Sequence, residues 1–203
     1  MTALGNKVRP EGEPLFVSYY TDDFYKNCFE TWLRPSLERH ELQFEVDHVP
    51  SLGSWMRNEL YKAEFILKKI RQHPERDLVW VDVDAEVKAR PDLFFDPEVG
   101  EIAACYWPHT FNNVPMLFGG TILFRGTSFV ERIVEQWVLS TARSDGSRLD
   151  QQLLQDILEA YQDVVFDLPS SYCWIESVMR PLRKDDQPIV LHHHVAKERF
   201  EKK

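Results

Sequence analysis

The sequence predicts an α/β fold, a mostly parallel sheet flanked by helices in a single domain, and three observations carry that expectation. Short apolar runs alternate along the chain with segments whose apolar residues recur at helical spacing. One run, Leu78-Val79-Trp80-Val81, is apolar at every position, as a strand covered on both faces must be. With 203 residues, 43% hydrophobic and 13% aromatic, the chain can bury one substantial core, and no repeat or low-complexity stretch marks a second. The domain is expected to span residues 14–200. Residues 1–13, polar with Gly and Pro, read as a flexible N-terminal segment.

Taken in order, Leu15–Tyr20 reads as a buried strand and Thr21-Asp22-Asp23 as a turn into a helix. Tyr25, Phe29, Trp32 and Leu33 fall at i, i+4, i+7 and i+8, which is helical spacing, and Pro35 kinks or ends that helix. Residues 42–49 alternate as a second strand. A helix from near Ser54 carries Leu60, Ala63, Ile66, Leu67 and Ile70 on its apolar side, and His73-Pro74 breaks it before the Leu78–Val81 strand. Four further strands are expected at Ile102–Trp107, Thr121–Phe124, Val164–Leu168 and Ile189–His192. Between them lie two helices opened by the capping pairs Ser128/Glu131 and Ser147/Asp150. In such a sheet, ligands sit at the carboxyl ends of the strands.

Composition excludes several classes. A net charge of −9, from 33 acidic against 24 basic residues, does not suit a surface that tracks a phosphate backbone, so nucleic acid is not an expected partner. No stretch approaches the roughly 20 apolar residues of a membrane span, and the first residues do not resemble a signal peptide. Cys28, Cys105 and Cys173 are odd in number and set among apolar residues, which fits buried thiols in a reducing compartment and gives a cytoplasmic expectation.

The chemistry begins where the apolar run stops, at Asp82-Val83-Asp84. On an extended backbone, residues i and i+2 share a face. Two carboxylates brought to about 4 Å repel by ~4 kcal/mol at an effective dielectric of 20, so the pair needs a compensating cation or donors. Mn2+ or Mg2+ suits carboxylate oxygens and bridges to phosphate oxygens at the same time. The plainer alternative is that both aspartates cap the next turn in water.

Leu78–Asp84 resembles the DxD segment of nucleotide-diphospho-sugar glycosyltransferases of the GT-A (Rossmann-like) fold, distantly glycogenin-like. The resemblance runs from about Leu15 to Phe200, with the DxD strand its one specific motif. It implies a metal-dependent transfer of sugar from a UDP- or GDP-linked donor to a hydroxyl acceptor, a glycan or a small molecule. Within it, Asp84 binds the cation and Asp82 binds the cation or the donor's ribose or sugar. Tyr19, Tyr20 and Thr21, at the end of the first strand, lie against the base and ribose, and Arg57 and Lys62 reach the donor unless they are ordinary solvated helix charges.

The resemblance extends to Gly119-Gly120, similar to a glycine-bearing strand start beside the donor sugar, where main chain approaches without a Cβ. Asp150-Gln151 resembles an Asp-Gln pair facing the reacting centre. There Asp150 takes the acceptor's proton in an inverting enzyme or orients hydroxyls in a retaining one, or else serves only as a helix-terminus carboxylate. His192 and His194, on one face if the last strand continues, are favoured over His193 as metal ligands, and Lys197 is similar to a diphosphate-binding lysine. A polar strand terminus is the plainer reading of the three histidines. The family's Gly between His and Lys, and its Pro-Trp after Lys, are missing here. Two alternatives stand beside this reading: a non-catalytic sugar-nucleotide binder, and a haloacid-dehalogenase-like phosphatase, which would need its D-x-D near the N-terminus.

Overall fold

A computed structural model describes residues 12–107 and 115–195. Its elements run β1 (Leu15–Tyr20), α1 (Asp23–Cys28), a π-helical turn (Phe29–Leu33), α2 (Arg34–Arg39), β2 (Phe44–His48), α3 (Trp55–Leu60), α4 (Lys62–Gln72), β3 (Leu78–Val81) and β4 (Ala85–Val87). Then come β5 (Ile102–Trp107), β6 (Met116–Phe124), α5 (Ser128–Arg143), α6 (Asp150–Leu158), β7 (Val165–Asp167), β8 (Trp174–Ile175), α7 (Glu176–Met179) and β9 (Val190–His192).

Six strands form the central sheet in the order β2-β1-β3-β6-β5-β7. β1 pairs in parallel with β2 and β3, β5 pairs in parallel with β7, and β6 runs antiparallel to both β3 and β5. Five strands therefore share one direction and β6 opposes them, so the expected α/β sheet is present in a mixed form. Alternating side chains divide its core in two. Leu15, Val17, Leu78, Trp80 and Ile122 pack against α4, α5 and α6, among them Phe65, Ile66 and the fully buried Trp137. Phe16, Val79, Val81 and Leu123 pack on the opposite face against Phe29, Leu33, Leu37 and Phe94. β3 is buried at all four residues because both layers cover it, which is why its sequence is apolar without alternation.

Several local expectations need correction. Pro35 neither ends nor sharply breaks the first helical segment. The helical run continues through a wider π turn over Phe29–Leu33, in which Arg34 N donates to Phe29 O, and Pro35 falls in the first turn of α2. Helix α5 is capped by Thr127, whose side chain accepts from Val130 N, and α6 starts at Asp150, with the Gln152 side chain returning to Leu149 N at 2.9 Å. The Gly119-Gly120 pair lies inside β6, which starts five residues before Thr121, at Met116.

A second, three-stranded sheet, β4-β9-β8, was not anticipated. β9 is the strand expected at Ile189–His192, but it pairs outside the central sheet, and its partners β4 and β8, three and two residues long, are too short for periodicity to register. It pairs Ala85 with His192 antiparallel and Ile175 with His192 in parallel, and so carries the C-terminal histidines back to the end of β3.

Candidate active site

β3 ends at Val81, and Asp82-Val83-Asp84 forms a turn rather than continuing the strand. Asp82 N donates to Gly120 O at 2.8 Å and Ala85 N donates to Asp82 O at 3.0 Å, which fixes the turn. The carboxylates thus come together through turn geometry, not through the strand alternation expected from sequence. One donor atom each from Asp82, Asp84 and His192 lie within 4.8 Å of one another.

Each of the three is oriented by a neighbour. Trp80 Nε1 donates to Asp82 Oδ1 at 3.0 Å, Val195 N donates to Asp84 Oδ2 at 3.1 Å, and His192 Nε2 lies 2.9 Å from Thr121 Oγ1. Burial, with the Asp82 charge second, raises the Asp84 carboxyl to about 6, while burial holds His192 down at about 4. At neutral pH Asp84 is therefore ionised and His192 uncharged, and their oxygen and imidazole nitrogen, with the Asp82 carboxyl group, make a donor set suited to Mn2+ or Mg2+. A Cβ built on Gly120 would come within 2.7 Å of His192 Cε1 and 3.2 Å of Asp82 Oδ2, so a bare backbone at that position is needed for the histidine and the aspartate to sit side by side. The residues fit a divalent cation.

Beside this group the buried Lys62 ammonium, 3% exposed, lies 3.1 Å from Asp150 Oδ2, 3.4 Å from Asp82 Oδ1 and 3.8 Å from Glu59 Oε2, and donates to Gly119 O at 3.2 Å. Burial opposes its charge, but Asp150, Asp82 and Glu59 outweigh burial and raise its pKa. Burial raises Asp150, with Lys62 offsetting part of the rise. It also lifts Glu59, to about 8, although 31% of that side chain opens on the cavity, where water screens some of the effect. Three carboxyl groups, Glu59, Asp82 and Asp150, thus surround one ammonium.

A cavity of about 370 Å³ opens over these groups, within the range of small-ligand sites. The predicted residues Tyr19, Tyr20, Thr21, Lys62, Asp82, Asp84, Gly120, Asp150, Gln151, His192 and His194 line it. Gln151 Oε1 accepts from Gly119 N at 3.0 Å and so holds the glycine pair against α6. His194 reaches the cavity from an exposed position with φ +54, outside the converging trio. Arg57 is exposed and lines a shallow groove with Leu60, Tyr61 and Glu64 instead, and Lys197 lies outside the described residues.

Sequence reasoning missed Glu59, Thr121, Tyr25 and the apolar wall of Trp107, Met116, Phe118, Ile175 and Val178. Glu59 had a legible signal, its i,i+3 relation to Lys62. The wall had none, because apolar residues at strand ends read as core.

No protein-family model matches the chain, and no curated protein matches its sequence. Solved structures do match. A glycosyltransferase involved in the glycosylation of the major capsid of PBCV-1 superposes with a TM-score of 0.67 at 12% identity, over 90% of this chain and 93% of its own. The apo-form glycosyltransferase GlyE of Streptococcus pneumoniae TIGR4 superposes with a TM-score of 0.54 at 14% identity, over 90% of this chain and 55% of GlyE, so the chain spans about half that enzyme's length. At these identities the likeness is one of fold. Among the described residues no helix is long and apolar enough to cross a membrane. The chain has the fold of these glycosyltransferases, a GT-A-like α/β fold with a DxD-type turn at the carboxyl end of a central strand.

Proposed function

We propose that this chain is a divalent-metal-dependent glycosyltransferase that moves a sugar from a UDP- or GDP-linked donor to a hydroxyl on a glycan or small molecule. The observation that carries the reading is the convergence of Asp82, Asp84 and His192 in the cavity at the carboxyl end of the sheet, on a fold shared with glycosyltransferases. Bound Mn2+ or Mg2+ supplies a Lewis acid that neutralises charge developing on the leaving nucleoside diphosphate.

The remaining roles belong to the chain itself. Tyr20 and Thr21, at the end of β1, face the nucleoside, and the buried Tyr19 backs them with its hydroxyl donating to Asn58 O at 2.6 Å. Lys62 holds Asp82 and Asp150 at fixed separation and adds positive potential beside the anionic donor. Gly120 lines the cavity and is assigned to the donor sugar, while the missing Cβ atoms of the Gly119-Gly120 pair leave room for Gln151 and for His192 beside Asp82. Asp150, ion-paired with Lys62, orients sugar or acceptor hydroxyls, and Gln151 fixes the glycine pair. Lys197 is assigned to the diphosphate, whereas Arg57, exposed on another groove, has no part in this proposal. No observation favours the phosphatase alternative, and a non-catalytic binder would bind donor without turning it over.

The test is donor hydrolysis with Mn2+ against EDTA, for wild type and Asp84→Ala. The expected outcome is turnover that needs metal and falls at least 100-fold in the variant. Turnover unchanged in chelator or in the variant sinks the proposal.

A further inference from the structure

The C-terminal histidines reach the site along an unusual path. β9 stops at His192, His193 N then donates to Asp84 O at 3.0 Å, and His194 turns the chain in the left-handed region at φ +54, a conformation a non-glycine residue adopts only when its surroundings impose it. That turn sends consecutive side chains in different directions. His192 and His194 line the cavity, while the His193 ring stacks on Trp32 with centroids 3.9 Å apart and planes 18° apart. On its other side His193 Nε2 lies 3.4 Å from Glu86 Oε2 of β4.

Trp32 belongs to the π-helical turn, a segment where one extra residue per turn rotates the side chains that follow and which recurs at functional sites. The floor beneath the stack is also fixed, because Val87 N of β4 donates to the Ser36 hydroxyl of α2 at 3.0 Å. Neither ring touches the cavity, and no role in the core demands them: both are part-exposed. What they join is the layer of α1 and α2 to the strap that carries His192.

We infer that Trp32 and His193 are positioning residues for the Asp82–Asp84–His192 centre, their stacked rings holding the strap so that the His192 imidazole faces the two carboxylates. The inference rests on the metal-dependent reading above and adds to it two residues outside the cavity. Partners that orient a metal ligand typically contribute 10- to 100-fold in affinity. Aromatic stacking, rather than the Glu86 contact, supplies the orientation, because a flat ring at 18° fixes a plane and a single 3.4 Å polar contact does not.

The experiment measures Mn2+ dissociation constants by electron paramagnetic resonance, alongside thermal midpoints in EDTA, for wild type, Trp32→Ala, Trp32→Phe, His193→Ala and His193→Phe. The expected result is a Kd about 10-fold weaker in both alanine variants and within threefold of wild type in both phenylalanine variants, which keep a stacked pair. Should Trp32→Ala fail to fold, His193→Ala and the two phenylalanine variants carry the comparison. Alanine variants with a lowered midpoint and an unchanged Kd would make the stack a packing contact only and overturn the inference. Wild type that binds no Mn2+ at any concentration would instead overturn the metal reading itself, and the positioning role with it.

Discussion

The two ends of the β3–β6 ladder each bury one cation, and they use it in opposite ways. At the amino end of β3, next to the Leu78–Phe124 pair, Arg125 is 5% exposed and every N–H of its guanidinium has an acceptor. Nη1 donates to Asp77 Oδ2 at 2.6 Å and Phe94 O at 3.3 Å, Nη2 to Val99 O at 3.0 Å and to Asp96 O, and Nε to Gly100 O at 3.4 Å. Asp77 completes the arrangement by accepting from Gly126 N at 2.8 Å. One charge meets one charge, and backbone carbonyls take up the remaining donors.

At the carboxyl end, Lys62 meets Asp150 at 3.1 Å, Asp82 at 3.4 Å and Glu59 at 3.8 Å, so one ammonium faces three carboxyl groups. A charge-balanced cluster ties the chain together, whereas a cluster with surplus negative charge costs stability until a cation or ligand joins it. The first is a structural knot and the second a site.

Breaking the knot is expected to have the largest effect. Arg125→Met leaves Asp77 and several carbonyls buried without partners and is expected to cost about 4 kcal/mol, read as a drop in urea midpoint at constant m value. Donor and metal affinity in the surviving folded fraction are expected to stay as in wild type. A loss below 1 kcal/mol would mean that the guanidinium network adds little and that the comparison is wrong.

Next come two matched substitutions with opposite signs. Asp77→Asn is expected to destabilise by about 2–3 kcal/mol because the Arg125 charge stays buried without its counterion. Asp84→Asn is expected to stabilise the metal-free protein at pH 8, on the order of 1–2 kcal/mol after allowing for solvent screening, because it removes a carboxylate whose ionised form is disfavoured in the fold. Added Mn2+ is expected to raise the wild-type midpoint and leave Asp84→Asn unmoved. Two changes of the same sign would erase the distinction between the two ends.

A smaller effect is expected with pH in EDTA. Asp84 titrates near 6 folded and near 3.8 unfolded, so the folded state holds the extra proton between those values and stability declines as pH rises through that window. His192 titrates near 4 folded and near 6.5 unfolded, so the unfolded state takes the proton first and stability declines as pH falls from 6.5 toward 4. The two trends oppose each other in wild type. Removing the first in Asp84→Asn is expected to leave a steeper loss on the acid side, by about 1 kcal/mol between pH 6.5 and 4.5, measured by denaturant titration at several pH values. Parallel profiles for the two proteins would count against the assigned shifts.

The sequence by itself determined the layered α/β plan and the place of the acidic turn. β1, β3 and the apolar face of α4 are legible because periodicity and burial are properties of one continuous segment, and Asp82 and Asp84 stand out because charge follows directly on an apolar run. Only the tertiary structure decided what those carboxylates meet. That His192 joins them through a two- to three-residue ladder, that Lys62 turns inward between three acids while Arg57 turns out, and that His193 serves Trp32 rather than the cavity all depend on segments far apart in the chain packing together. Local patterns report which side of an element is dry. Which charges become neighbours is fixed by the docking of whole elements, and no spacing within a single element records it.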